Sequence, residues 1–491
     1  MGTTSQMTMV QRLAEFAASC RQNGVPEEVE RSVRQRIADT LGVSIAAQVL
    51  ATSKAAIDHF LDQGGRPESH IVGQSTRVPA AQAAFANGVL AHSLDFDDTH
   101  LPSVLHPSAS IVPAAIAVAE STGCHGSVLS AGIAAGLEIC VRLGMAGFEP
   151  STRNSVFFEY GQHATSICGT IGAAAAAGLI IGLDADEIAH AMGIAVSFAG
   201  GVIEGNRTGG TVKRTHCGWA AHGGVTAAQL AARGFTGPPT ALEGRFGFFE
   251  AFLKGRYDAE ALEHGLGIDW EVPGIFFKPY PANHFTHAGI DAAIRMREAG
   301  LAAEDVESIE LGVPSHTVRS IGEPLAVKQR PETGYQGQFS GPYTVVAALL
   351  GGTGLGLGLQ DFDDALVADP LRRSLMSKVT VVADPTCDAI FPYQFPAILR
   401  VLTKDGRHLE EKVLESRGGP DRPLTDEELR QKMKDNIRGF ITPEGLERLE
   451  AVFTSRQSME DPAALMEATI GQRSDLADLT SPPTRLPTLE S

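Results

Sequence analysis

From residue 79 to residue 232 the chain is a near-continuous series of Ala- and Gly-rich segments, at 79–93, 108–122, 127–143, 164–182, 185–199 and 218–232. No period-2 run of β-branched residues interrupts them, and a half-buried strand requires that alternation. Side chains this small favour tightly packed helices, so an all-α domain of several antiparallel helices is the natural product. Upstream, VPEEVERSVRQRIADTLGVSIAAQ (25–48) begins on a proline and acidic residues that suit the positive end of a helix. Val29, Val33, Ile37 and Leu41 then recur along one face.

The texture changes near residue 270. VESIELGV (306–313), SKVTVVAD (377–384) and AILRVLTKDGRHLEEKVLES (397–416) alternate as strands do, the last around a KDGR hairpin turn, while SGPYTVVAALLGG (340–352) reads as a helix. A smaller α+β domain is therefore expected over 270–415, after a helical domain over 1–269. LTDEELRQKMKDNIRGF (424–440) opens on an N-cap pattern, so 416–465 is expected to return as helices that complete the first domain. Residues 466–491 are polar and Pro-rich, which predicts a flexible tail. The fold class is mainly α.

Charge narrows the partners. Across 491 residues, 40 Lys+Arg stand against 58 Asp+Glu, a formal net charge of −18. Nucleic-acid binding draws on a basic surplus and is not expected, whereas a small anion can still be gathered by a local group of cations. The six cysteines form no C-x-x-C pair, which removes the usual signature of structural zinc or an iron–sulfur cluster and predicts reduced thiols in the cytoplasm. The N-terminus lacks a secretory pattern, and the most apolar stretch, GAAAAAGLIIGL (172–183), is too short to span a bilayer, so no membrane role is expected.

Four stretches carry chemistry. HSLDFDDTHLPSVLHPS (92–108) crowds three aspartates and three histidines at an expected helix end. If that helix continues, Asp95 and Thr99 share a face, and His106 follows on a Pro-broken loop. A solvated helix end is the plainer alternative, although acidic groups there oppose the helix dipole. A metal site built from His92, Asp95, Asp98, His100 and His106 is a third, without a matching His-Asp pair or H-E-x-x-H elsewhere. FFEYGQHATSICGT (157–170) sets His163 at the start of a helix, where a neutral imidazole or a bound anion is favoured. EGNRTGGTVKRTHCGWAAHGG (204–224) puts Lys213, Arg214 and His216 after a Gly-rich loop, as a carboxylate or phosphate cradle or as a solvated basic turn. KPYPANHFTHAG (278–289) brings Lys278, Asn283, His284 and His287 around two prolines. LLGGTGLGLGLQ (349–360) does not fit G-x-G-x-x-G and follows a helix, so it is not read as a dinucleotide loop.

Together AHSLDFDDT, LHPSASIVPA, VKRTHCGWAAHGG with GFTGP, and KPYPANHFTHAGIDAA resemble the MmgE/PrpD family, from about residue 8 to about residue 455. That family includes 2-methylcitrate dehydratases, cis-aconitate decarboxylases and iminodisuccinate epimerases. The resemblance implies a large helical domain, a smaller α+β lid and a homodimer. It also implies an active site between the domains with no metal or organic cofactor. By motif, its catalytic positions are Asp95, Thr99, His106, His163 and Lys213. Arg214, His216, Lys278, Asn283 and His284 are the expected substrate-binding positions. Two departures stand out. Y-P-A is followed by Asn283 where the decarboxylase branch has a histidine, and HPSAS and VKRTH replace dehydratase patterns. The expected reaction is loss of water or CO2 from a small polycarboxylate, with epimerisation of a dicarboxylate as the alternative. A metal phosphohydrolase and a non-catalytic binding protein remain further readings. In the expected mechanism His106 and His163 share proton transfer, Lys213 anchors a carboxylate, and Asp95 with Thr99 orients the pair.

Overall fold

The computed structural model describes residues 7–205 and 210–471. Residues 206–209, at the centre of the expected Gly-rich loop, and 472–491, most of the expected tail, lie outside the described residues. The first part of that tail needs correction. Met466, Ala468 and Thr469 are buried, and the Thr469 hydroxyl accepts a hydrogen bond from the Gly73 amide at 3.0 Å.

The helical part uses α1 (Met9–Asn23), α2 (Glu27–Ala47), α3 (Ala80–His92), α4 (Ser108–Thr122), α5 (Gly126–Ala146), α6 (Ala164–Ile181), α7 (Ala185–Phe198) and α8 (Lys213–Ala231). Small residues let α6 lie almost backbone to backbone on α5: a Cβ on Gly172 would stand 2.5 Å from the Gly136 carbonyl. On α8, a Cβ at Gly218 would stand 2.5 Å from the Phe85 carbonyl of α3.

Helix α6 begins eight residues before the apolar run 172–183. Helices α5 and α6 are each long and apolar enough to cross a membrane, but both are almost wholly buried inside the protein. A helix that is apolar all round is accounted for here by burial among other helices.

The lid part contains α9 (His287–Glu298), β1 (Val306–Val313), α10 (Ser315–Ile321), α11 (Gly341–Leu350), β2 (Val379–Ala383), β3 (Ala397–Thr403) and β4 (His408–Val413). The sheet order is β2-β1-β3-β4, with β1 parallel to β2 and the other pairs antiparallel. Residues Tyr280 to Val413 form one apolar core. A larger core joins Val10–Phe277 to residues of α12 (Asp426–Ile437) and α13 (Pro443–Thr454). A capping box between Thr425 and Glu428 starts α12 where the sequence placed an N-cap. Between the two cores, Leu101, Phe276, Phe391 and Phe395 make a small apolar cluster of their own.

Candidate active site

Helix α3 stops at His92, and the segment after it is not helical, contrary to the expectation that put Asp95 and Thr99 on one helix face. Asp95 has φ 52°, a left-handed conformation that aspartate tolerates better than most residues. The turn is held by its main chain. The Lys278 ammonium donates to the Asp95 carbonyl at 2.8 Å, and Lys432 of α12 donates to the Phe96 carbonyl at 3.1 Å. Thr99 pairs with Phe276 through two backbone hydrogen bonds, and His100 pairs with Leu105, so the chain doubles back and presents His106.

This loop walls a cavity of about 490 Å³ lined by both parts of the molecule. Of the positions singled out in the sequence, Asp95, Thr99, His106, His163, Lys213, Lys278, Asn283 and His284 line it. Arg214 and His216 do not. Arg214 donates to Thr52 at 2.8 Å and lies over the Tyr335 ring, whereas His216 packs behind His163 with ring centroids 4.4 Å apart. Lys213, Arg214 and His216 belong to the first turn of α8 rather than to a loop before it.

The carboxylates divide their duties differently from the expectation. Asp95 faces lysines, not imidazoles: Lys213 at 2.9 Å and Lys278 at 3.3 Å. Burial alone would raise its pKa, but these two ammonium groups outweigh burial and hold the carboxyl well below its ordinary range. Burial likewise opposes the Lys213 charge, and Asp95 raises the lysine in spite of it.

The carboxylate beside the imidazoles is Asp97, which sequence reasoning passed over. It accepts from His92 Nδ1 at 2.6 Å and lies 3.8 Å from His106 Nδ1. Against the effect of burial, His92 and His106 keep its pKa low. Asp98 turns away from the cavity to the buried Arg36, at 2.7 Å, and to Ser108. His100 bonds Ser103. Among the described residues no three His, Cys, Asp or Glu side chains converge to hold a metal ion. The ligand set weighed above is thus divided among separate ion pairs.

The imidazoles differ in tautomer. His106 Nδ1 lies 2.7 Å from the Asp98 carbonyl, which can only accept, so the neutral ring carries its proton there and leaves Nε2 basic. Thr99 Oγ1 is a longer partner of the same nitrogen at 3.4 Å. His163 is the N-cap of α6, and its Nδ1 accepts from the Ser166 amide at 3.3 Å, which places the neutral ring's proton on Nε2. Among the described residues His284 has no hydrogen-bond partner at either buried nitrogen. Burial pushes His106 down to about 3, with Asp97 opposing and Lys278 reinforcing. Burial also holds His163 and His284 well below the ordinary histidine value, helped by neighbouring imidazoles. The free site therefore contains neutral rings beside permanent cations. Asn283 lines the cavity and caps a short helix, its side-chain oxygen accepting from the Phe285 amide at 3.0 Å.

Two further cations line the cavity, Arg153 and Arg319. Neither lies in a stretch with a recognisable spacing. Arg153 sits at φ 51° in the turn between Phe148–Glu149 and Asn154–Ser155, and its guanidinium donates across to the Asp388 and Phe391 carbonyls of the lid.

Comparison with known proteins agrees with this architecture. The profile of the MmgE/PrpD N-terminal domain matches residues 11–260, and that of the MmgE/PrpD C-terminal domain matches residues 280–456. The human protein named cis-aconitate decarboxylase is 30% identical over 89% of each chain. A cis-aconitate decarboxylase of Aspergillus terreus is 23% identical, over 93% of this chain and 94% of its own. A 2-methylcitrate dehydratase of Cupriavidus necator is 26% identical, over 78% of this chain and 80% of its own. With both domain profiles matched in order across the two cores, the chain belongs to the MmgE/PrpD family.

Proposed function

We propose that the chain is an acid–base lyase acting on a small tricarboxylate, with loss of CO2 from a cis-aconitate-like acid as the principal reading. The observation that carries it is the charge of the cavity. Among the described residues, Lys213, Lys278, Arg153 and Arg319 face it against the single carboxylate of Asp95, an excess of three positive charges before any imidazole is protonated. A trianion matches that excess.

In the proposed step Lys213 and Lys278 hold a carboxylate that is retained. The departing carboxylate lies toward the aromatic wall of Phe285, Phe391 and Phe395. Its C–C bond breaks, CO2 leaves, and the electron pair remains on the carbon skeleton. A proton from an imidazolium captures that pair. The imidazoles are neutral in the free site, but a bound trianion raises their pKa, so the proton arrives with the substrate. His106 Nε2 is the proposed carrier, with His284 beside the same cavity, and neutral His163 donates a hydrogen bond through Nε2–H. These roles use only the chain's own side chains.

Dehydration is the second reading, favoured by the dehydratase relative: His106 Nε2 would remove a C–H proton while a hydroxyl leaves as water. NMR of the full chain with cis-aconitate and with 2-methylcitrate in D2O separates the readings. Decarboxylation gives CO2 and a product with one deuterium on carbon, and dehydration gives an alkene from the hydroxy acid. Deuterium uptake without loss of either group marks an isomerase and would sink the lyase reading. Wild-type turnover in both His106→Ala and Lys213→Ala would remove the proposed roles.

A homodimer is also proposed. Val212 and Trp219, seven residues apart at the start and outer face of α8, are about half exposed, which supports a covered surface there. Light scattering of the purified chain tests it. All six cysteines are free thiols, which supports a reducing compartment such as the cytoplasm.

A further inference from the structure

Helix α10 projects from the end of β1 toward the cavity mouth. His316, Arg319 and Ser320 all line the cavity, and their spacing of three and four puts them on one face. The opposite face is anchored, since Thr317 and Ile321 are fully buried. At its start, the Ser315 amide and hydroxyl both donate to the Asp388 carboxylate, at 2.7 and 2.9 Å. The His316 ring stacks on Phe391, with centroids 5.6 Å apart and planes within 9°. The direction of this short helix is therefore fixed by contacts on every side except the one facing the cavity.

The four cations of the cavity are not equally available. Lys213 and Lys278 share Asp95, and Arg153 is engaged by the Asp388 and Phe391 carbonyls. Arg319 is exposed and has no ion pair or hydrogen bond among the described residues. A planar guanidinium with all five donors open is a receptor for a carboxylate, which it binds through two parallel hydrogen bonds.

We infer that Arg319 determines specificity for a third carboxylate: it binds the acid group of the substrate furthest from Lys213 and Lys278, and so selects tricarboxylates over dicarboxylates. This inference rests on the polycarboxylate reading above and names a residue and a discrimination that reading does not contain. A dicarboxylate that lacks the far acid group fills the lysine end and leaves Arg319 in water, at no loss to either. A tricarboxylate gains the bidentate pair at the mouth. Lysine at this position would keep the charge but lose the fork.

The test is calorimetric binding of two unreactive acids to the full-length protein. Tricarballylate has three carboxylates, and methylsuccinate is the same carbon chain without one of the terminal ones. Wild type is expected to bind tricarballylate about tenfold more tightly than methylsuccinate, the increment of one charge-assisted bidentate pair. Arg319→Gln is expected to bring the two affinities within about twofold by weakening tricarballylate alone, and Arg319→Lys to fall between. Arg407→Gln, in the distant β3–β4 turn, removes the same charge and is expected to change neither. A thermal melt confirms that each variant is folded. If wild type prefers the triacid and Arg319→Gln keeps the full preference, or loses affinity for both acids equally, the assignment of Arg319 is overturned. If wild type binds neither acid, the polycarboxylate reading itself falls, and Arg319 falls with it.

Discussion

Asp95 shows how much a single residue is asked to do. Its side chain draws two ammonium groups to one wall of the cavity, and its carbonyl fixes one of them a second time. Asp95→Asn leaves Lys213 and Lys278 repelling each other in a buried site. It is expected to reduce stability by about 3–5 kcal/mol, the usual penalty for breaking a buried pair, read from urea unfolding. Turnover should fall about 100-fold, equivalent to ~2.7 kcal/mol of transition-state stabilisation.

His106 gives a prediction of opposite character. Its free-site pKa of about 3 makes it neutral at pH 7, and a bound trianion raises that value, so binding takes up a proton. Tricarboxylate affinity should therefore weaken as pH rises above about 3, until the raised value in the complex is passed. Calorimetry in buffers of differing ionisation enthalpy should show net proton uptake, and His106→Gln should abolish most of it. The roles of Asp95 and Asp97 were not legible in LDFDDT, where three aspartates look alike. They are told apart only by which cation or imidazole arrives from elsewhere in the chain.

At the scale of elements the sequence was more readable. Alternation found β1, β2 and the β3–β4 hairpin, and the N-cap at Thr425 found the start of α12, because each signal is local. Beyond the tail, which starts later than expected, the two misread elements were both helix ends beside the cavity. Helix α3 was allowed to run on through 95–99, with neither Gly nor Pro to stop it before Pro102. It ends because lysines 183 and 336 residues away along the chain take the carbonyls of Asp95 and Phe96. Helix α8 was started five residues late, since its first turn looked polar and loop-like, yet that turn is what delivers Lys213 to Asp95. The close approach of α8 to α3 makes this delivery sensitive to one methyl group. Gly218→Ala sets a Cβ against the Phe85 carbonyl and the Val89 side chain, at 2.5 and 2.8 Å. Overpacking of this kind should reduce stability by about 1–3 kcal/mol and lower turnover by tilting the helix that carries Lys213, with substrate-free secondary structure unchanged by circular dichroism.

The whole molecule closes a site that neither core completes alone. Lys213, His106 and His163 come from one side, Arg319, His284 and the aromatic wall from the other, and Arg153 reaches across between them. Behind the cavity, Lys432 of α12 pairs with the buried Asp39 of α2 at 2.7 Å while it holds Phe96. Lys432→Met strands Asp39 and releases the loop, so about 3–5 kcal/mol of stability and most of the turnover should be lost together. A Lys432→Met/Asp39→Leu double variant should recover stability but not turnover.

That tie from α12 to the loop also sets a timetable for synthesis. Every catalytic position named by motif is translated by residue 213, when less than half of the chain has been made, whereas Lys278, His284 and Arg319 of the same cavity follow later. The loop after α3, already tied by Phe276 and Lys278, receives its last tie only when residue 432 arrives, after the lid has been produced. A nascent chain is consequently expected to show no turnover until the last helices dock.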